Sequence, residues 1–150
     1  MKIEPGALDA NVLVYAVEAR APQRAVSRAL IDAARNPATA LYLTSQVLCE
    51  FYSVVTNARR VTVPRSPGDA LEAISELLAL PGIRLLPTPA LAVAGWMALL
   101  QRHPVTGRSV FDLQLVATIL ANNVQRIYTF NTRDFAVFPE LIVTTPPEPV

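Results

Sequence analysis

The chain has 150 residues, 52% of them hydrophobic and 17% charged, with a formal net charge of +1. This length and composition fit one globular domain with a sizeable core and exclude a disordered chain. A charge near zero excludes any overall electrostatic pull toward nucleic acid or membrane.

Met1-Lys2-Ile3-Glu4-Pro5 carries no hydrophobic signal region, so export is not expected. The one cysteine, Cys49, has no internal disulfide partner, and the cytoplasm is the expected compartment. The longest apolar run, Pro89 to Leu100, is 12 residues, too short to span a bilayer and suited to a buried helix. Lys2 is the only lysine, so the other 12 basic residues are arginines. Arginine suits bidentate phosphate contacts, and a GC-rich genome produces the same bias.

In chain order, residues 7–9 read as a short buried strand feeding a helix over 10–18. Pro22 opens a second helical pattern through Ala25, Val26, Ala29, Leu30 and Ala33, closed by Asn36-Pro37. Leu41-Tyr42-Leu43 is a brief strand. Thr44-Ser45 offers an N-cap for a helix through Val47, Leu48, Phe51, Tyr52, Val54 and Val55. Ser66, Pro67 and Asp69 form a cap, first-position proline and capping-box pattern for a helix that stops at Pro81-Gly82. Ile83 to Leu86 is a strand. Thr88-Pro89 repeats the cap-plus-proline device for the apolar helix containing Trp96, which ends at His103-Pro104. A loop over 104–109, a helix from Asp112 to Ala121, a strand from Arg126 to Phe130 and a last strand from Leu141 to Val143 follow. Residues 1–143 are expected to form the domain, and 144–150, with three prolines, a poorly ordered or extended tail. Short apolar strands alternating with helices predict an α/β fold: a mostly parallel sheet of about five strands with helices on both faces.

Four acids stand out in this frame. Asp9 and Asp134 each follow a predicted strand, where open parallel sheets bind ligands. Glu50 lies inside an apolar helix with no basic residue nearer than Arg59. A partly buried glutamate needs a partner, so a metal is a reasonable candidate. Asp9 also reads as a helix N-cap. Ser109 to Asp112 and Asn131 to Asp134 both fit capping boxes, so each acid alone reads as a helix-start residue. Four such acids across one α/β chain are harder to treat as separate caps.

Competing chemistries lack their residues. One histidine, His103, and one cysteine cannot build a zinc site, and no serine is placed beside His103 for a triad. No glycine-rich phosphate loop is present. Phosphoaspartate chemistry would need a lysine, and Lys2 sits at the terminus. An all-carboxylate set points to hard cations.

The same residues carry a family resemblance. Leu8-Asp9-Ala10-Asn11-Val12-Leu13, Ser45-Gln46-Val47-Leu48-Cys49-Glu50-Phe51, Phe111-Asp112 and Thr129-Phe130-Asn131-Thr132-Arg133-Asp134-Phe135 occur in the order and spacing of a PIN domain. Over nearly its whole length the chain resembles the VapC-type ribonuclease toxins of bacterial toxin–antitoxin pairs. The resemblance implies a single PIN-like domain and an endoribonuclease in which Asp9, Glu50, Asp112 and Asp134 hold one or two Mg2+ or Mn2+ ions. Asn11, Thr129 and Asn131 would be supporting polar residues, and Arg108 and Arg133 candidates for the RNA backbone or plain solvated arginines. It also implies an RNA substrate, a homodimer and a cognate small antitoxin packed into an apolar groove near the acids, with no membrane role. Pro5-Gly6 shortens the strand before the first acid relative to the family. Asn131 stands where many members carry Asp, which lowers the negative charge there and favours one ion over two. A PIN nuclease for RNA processing without an antitoxin, and a binding domain without turnover, are the alternatives.

Overall fold

The structure, a computed structural model, describes residues 2–149. Met1 and Val150, the last residue of the expected tail, lie outside the described residues. Strands β1 (Gly6–Leu8), β2 (Leu41–Thr44), β3 (Ile83–Leu86), β4 (Arg126–Tyr128) and β5 (Ile142–Thr144) form one all-parallel sheet in the order β3-β2-β1-β4-β5. The central β1 is buried along its length, whereas Arg84 and Leu85 on β3 and Ile142 on β5 are exposed at the two edges. That gradient is what a parallel sheet covered by helices requires.

Among the described residues seven helices connect and cover the strands: α1 (Ala10–Val17), α2 (Arg24–Asp32), α3 (Ser45–Val55), α4 (Pro67–Leu78), α5 (Leu91–Arg102), α6 (Val110–Ala121) and α7 (Thr132–Phe135). Helix α1 packs on α2 and α3, and α3 packs on α4, while α5 and α6 pack on each other. The chain winds from β1 out to β3 and then returns to β4 on the other side of β1. Right-handed crossovers put connections of opposite direction on opposite faces. Gly95 allows the close α5–α6 approach, since a Cβ there would lie 3.2 Å from the Ala117 Cβ. Leu8, Val12, Leu43, Val47, Val116 and Ile127 are among the fully buried side chains between these layers.

Local chemistry accounts for most boundaries. Thr44 and Ser66 accept from the amides of Val47 and Asp69, as expected N-caps, and Pro67 takes the first helical position of α4. Helix α6 ends in a Schellman turn: Asn123 has φ +59° and the Val124 amide reaches back to the Ile119 carbonyl. Gly82 is fixed by close approach, because its amide donates to the Ala34 carbonyl at 2.7 Å and a Cβ would lie 2.8 Å from that same oxygen.

Other boundaries differ from expectation. Helix α2 starts at Arg24 behind Gln23 rather than at Pro22. Thr88 does not cap α5; the first turn forms later, with the Ala92 amide on the Pro89 carbonyl and Val93 on Ala90. Helix α6 begins at Val110, directly continuing a 3-10 turn over Gly107–Ser109. Strand β4 stops at Tyr128 because the Phe130 and Asn131 amides turn away to the Asn11 and Thr129 side chains. Strand β5 is shifted one residue onward by its Arg126↔Ile142 register, which takes Thr144 into the sheet, and Pro146 beyond it is buried. Among the described residues, no helix is long and apolar enough to cross a membrane.

Candidate active site

The reversal of winding falls between β1 and β4, and the carboxyl ends of both strands open at that point. This is the switch point where ligands bind in open α/β sheets. Asp9 follows β1 and Thr129 follows β4, so two residues 120 positions apart become neighbours.

Asp9 is 7% exposed, and its carboxylate is held only by neutral donors. The Ala10 amide donates to Oδ1 at 2.8 Å, the Thr129 hydroxyl to Oδ2 at 2.8 Å, and the Asn11 amide to Oδ2 at 3.4 Å. Asp9 therefore caps α1 and faces the switch point at once. Thr129, fully buried, accepts in turn from the Asn11 Nδ2 at 3.2 Å and the Asn131 backbone amide at 3.0 Å. Asn11 closes the circuit by accepting from the Phe130 amide at 3.3 Å. The structure thus joins Asn11 and Thr129 to Asp9 through their side chains, and Asn131 through its backbone only. The Asn131 side chain is exposed and makes no capping bond to α7.

The other three acids approach from different elements. Glu50 sits half-buried in the second turn of α3, Asp112 half-buried in the first turn of α6, and Asp134 exposed on α7. Phe135 and Phe138, both buried, anchor the α7 segment beneath Asp134. Neither expected capping box forms: Ser109 is already helical and its hydroxyl caps nothing, and Asn131, though not helical, makes no side-chain capping bond either. Asp112 and Asp134 are therefore not occupied with helix capping.

Electrostatics shows that the four acids feel one another. Burial pushes the Asp9 carboxyl above its ordinary range; the Thr129 and Ala10 hydrogen bonds oppose this, and Glu50 and Asp134 push it further up. Asp112 is pushed up to about 6, first by burial and then by Asp9, Asp134 and Glu50. Among the described residues the ion pairs are Lys2–Glu4, Arg35–Asp32 and Arg102–Glu140, none of which touches the four acids. The cluster carries uncompensated negative charge in a half-buried setting, a chemistry that fits a hard divalent cation with oxygen ligands. No three His, Cys, Asp or Glu side chains among the described residues are close enough to enclose an ion. Binding would require side chains to close in, and Asp112 and Asp134 are not tied down by capping bonds.

Gln46 is a neighbour that reading the sequence missed. Its amide donates to Glu50 Oε1 at 3.3 Å and to the Phe111 carbonyl at 2.8 Å. The i, i+4 spacing to Glu50 is the only sequence signal, and it is shared by many solvent-facing helix pairs. Arg108 and Arg133 are exposed beside Asp112 and Asp134 in sequence. His103 lies elsewhere, ending α5 with its ring 5.2 Å from that of Phe138. Two hollows of about 310 and 370 Å³ run along the α1–α4 side, and none of the four acids lines either.

Comparison with known proteins bears on the family and the fold. The model of the PIN domain matches residues 7–141. A VapC ribonuclease of Mycobacterium bovis is 38% identical over 138 residues, which cover 89% of this chain and 90% of that protein. Among solved structures, VapBC2 from Rickettsia felis bound to a DNA fragment from its promoter has a TM-score of 0.67 at 17% identity, covering 95% of this chain and 98% of that one. Mycobacterium tuberculosis VapC20, a Sarcin-Ricin loop cleaving toxin, has a TM-score of 0.65 at 18% identity, covering 88% and 94%. The structural likenesses establish a shared fold, and the sequence match spans almost the whole domain. The chain belongs to the PIN domain family.

Proposed function

We propose that this PIN domain is a metal-dependent endoribonuclease and the toxin half of a toxin–antitoxin pair. One observation carries the reading: Asp9 and Asp112 at the sheet's switch point each feel the negative charge of Glu50 and Asp134, and among the described residues no ion pair relieves any of the four. The relative from Mycobacterium bovis, a VapC ribonuclease, supports it.

Asp9, Glu50, Asp112 and Asp134 would hold Mg2+ or Mn2+, and the exposed Asn131 in place of an acid favours a single ion. Bound there, the ion would lower the pKa of a water and offset charge developing on the scissile phosphate. The chain's own residues do the rest. Thr129, Asn11 and the Ala10 amide fix the Asp9 carboxylate in one orientation. Asp112 releases its proton near pH 6, so it is mostly available as a ligand at neutral pH. Arg108 and Arg133 meet the RNA backbone as phosphate contacts, which position the substrate without reading its sequence. No side-chain nucleophile is needed. Purified protein should cleave RNA with Mg2+ or Mn2+ and stop with EDTA. Cleavage that continues in EDTA would overturn the mechanism.

The partner reading follows the fold. In place of the groove expected near the acids, which line neither hollow, the one lined by Leu13, Val17, Ile31, Phe51 and Leu77, with Arg28, Arg35, Arg65, Asp32 and Glu76 as its charged residues, suits an amphipathic segment of a small antitoxin. Leu91, Val93 and Met97 are exposed on α5 and offer apolar surface for a homodimer. Light scattering at tens of micromolar, alone and with the protein encoded beside it, checks both; a lone monomer with no co-purifying partner counts against them.

A further inference from the structure

Helices α3 and α6 each carry one acid of the cluster, yet they share little direct packing; α3 packs mainly on α1 and α4, and α6 on α5. Both are seated on the common core, so a direct tie between them bears on how Glu50 stands relative to Asp112. The Gln46 amide is placed to provide that tie. Its one nitrogen carries two hydrogens, and the structure directs that nitrogen to both the Glu50 carboxylate and the Phe111 carbonyl. Phe111 immediately precedes Asp112 in the first turn of α6. The carbonyl has a second lone pair, so it accepts from Gln46 without giving up its helical bond.

We propose that Gln46 is a positioning residue that locks Glu50 of α3 against the acid-bearing turn of α6. The inference rests on the metal-dependent nuclease reading above. The residue type matters. A lysine or arginine at 46 would hold Glu50 equally well but would neutralise it and compete with a cation. A glutamate would add a fifth negative charge. A neutral amide orients the carboxylate and leaves its charge for a metal. Partners one shell out from a metal act in this way, and their loss costs about 10–100-fold in affinity or activity.

The test uses Gln46→Met, which keeps the side-chain length and removes both donors, and Gln46→Lys, which keeps a donor and adds charge. Calorimetric Mn2+ titration, RNA cleavage and thermal melts in EDTA are compared with wild type. Q46M should bind Mn2+ about tenfold more weakly and lose a similar factor in kcat, with KM for RNA little changed and the EDTA melt close to wild type. Q46K should bind Mn2+ more weakly still. In a Glu50→Gln background the Q46M effect on Mn2+ affinity should shrink, because its main partner is already altered. Wild-type affinity and kcat in Q46M would overturn the inference alone. A large fall in the EDTA melt that accounts for the lost activity would also overturn it, marking Gln46 as a packing residue. If wild type itself neither binds Mn2+ nor cleaves RNA, the nuclease reading falls first and this inference falls with it.

Discussion

Asp9 and Asp134 belong to one charge cluster under opposite conditions. Asp9 is buried and held by the Ala10, Asn11 and Thr129 donors. Asp134 is exposed on a four-residue helix, and only its backbone is engaged, with the Asn131 carbonyl. A buried carboxylate without donors would be prohibitively costly, so the fold supplies them from neutral groups. An exposed carboxylate is solvated by water and needs none. Half of the proposed site is therefore built in at the end of β1, and the other half is left free to adjust.

The largest effect should come from the built half. Asp9→Asn keeps one acceptor oxygen, enough to cap α1 at the Ala10 amide, and removes the charge and the second acceptor, so the protein should still fold with a lowered melting temperature while RNA cleavage falls more than about a hundredfold, beyond the loss expected for a partner one shell out. Cleavage assays beside a circular-dichroism melt check this; near-wild-type activity would remove Asp9 from the chemistry.

Next comes Asp112→Asn. Asn retains the shape and relieves repulsion, so the melting temperature in EDTA should hold or rise. Most of the metal-induced stabilisation should disappear, a gain that for wild type is about 2.7 kcal/mol at a hundredfold excess of ion over its dissociation constant. An unchanged response to Mn2+ would take Asp112 out of the site.

Thr129→Val tests the donors themselves. It strips one hydrogen bond from Asp9 and leaves the Asn11 and Asn131 donors short of an acceptor, costing about 1–3 kcal/mol in urea unfolding without metal. Thr129→Ser should recover most of that. Equal stability of the Val and Ser variants would mean that the circuit contributes little.

The smallest effect is in pH. Asp112 has an ordinary pKa of 3.8 and rises to about 6 in the fold. Between these values the folded protein keeps a proton that the unfolded chain has released, so the group lowers stability as pH rises through this window and adds nothing further above it. The gap in EDTA melting temperature between D112N and wild type should open from pH 4 to 6 and then stay level. A gap already complete at pH 4 would place the Asp112 carboxyl in its ordinary range.

Much of this was legible because it is local. Ser66-Pro67-Gly68-Asp69 fixes the start of α4 within four residues, and the alternation of short apolar runs with helical patterns suffices for five strands in a parallel sheet. The acids stood out as charges in apolar surroundings. The failures were where a local pattern had a competing partner. Ser109 has capping-box spacing, but the 3-10 turn before it already puts it in helical conformation. Thr88-Pro89 resembles Ser66-Pro67, yet its helix begins two residues later than that device would place it. Gln46 was illegible for the opposite reason: half of its meaning lies at Phe111, 65 residues away.

The sheet order also has a consequence in time. Asp9 is synthesised 120 residues before the Thr129 hydroxyl that holds it. At about 5–20 residues per second, the ribosome needs on the order of ten seconds to get from one to the other. Until then β1 has no β4 beside it, and Asp134 does not yet exist. On the proposed function, a chain that has not yet reached Thr129 and Asp134 has no cutting edge while it is tethered to the RNA-rich machine that makes it.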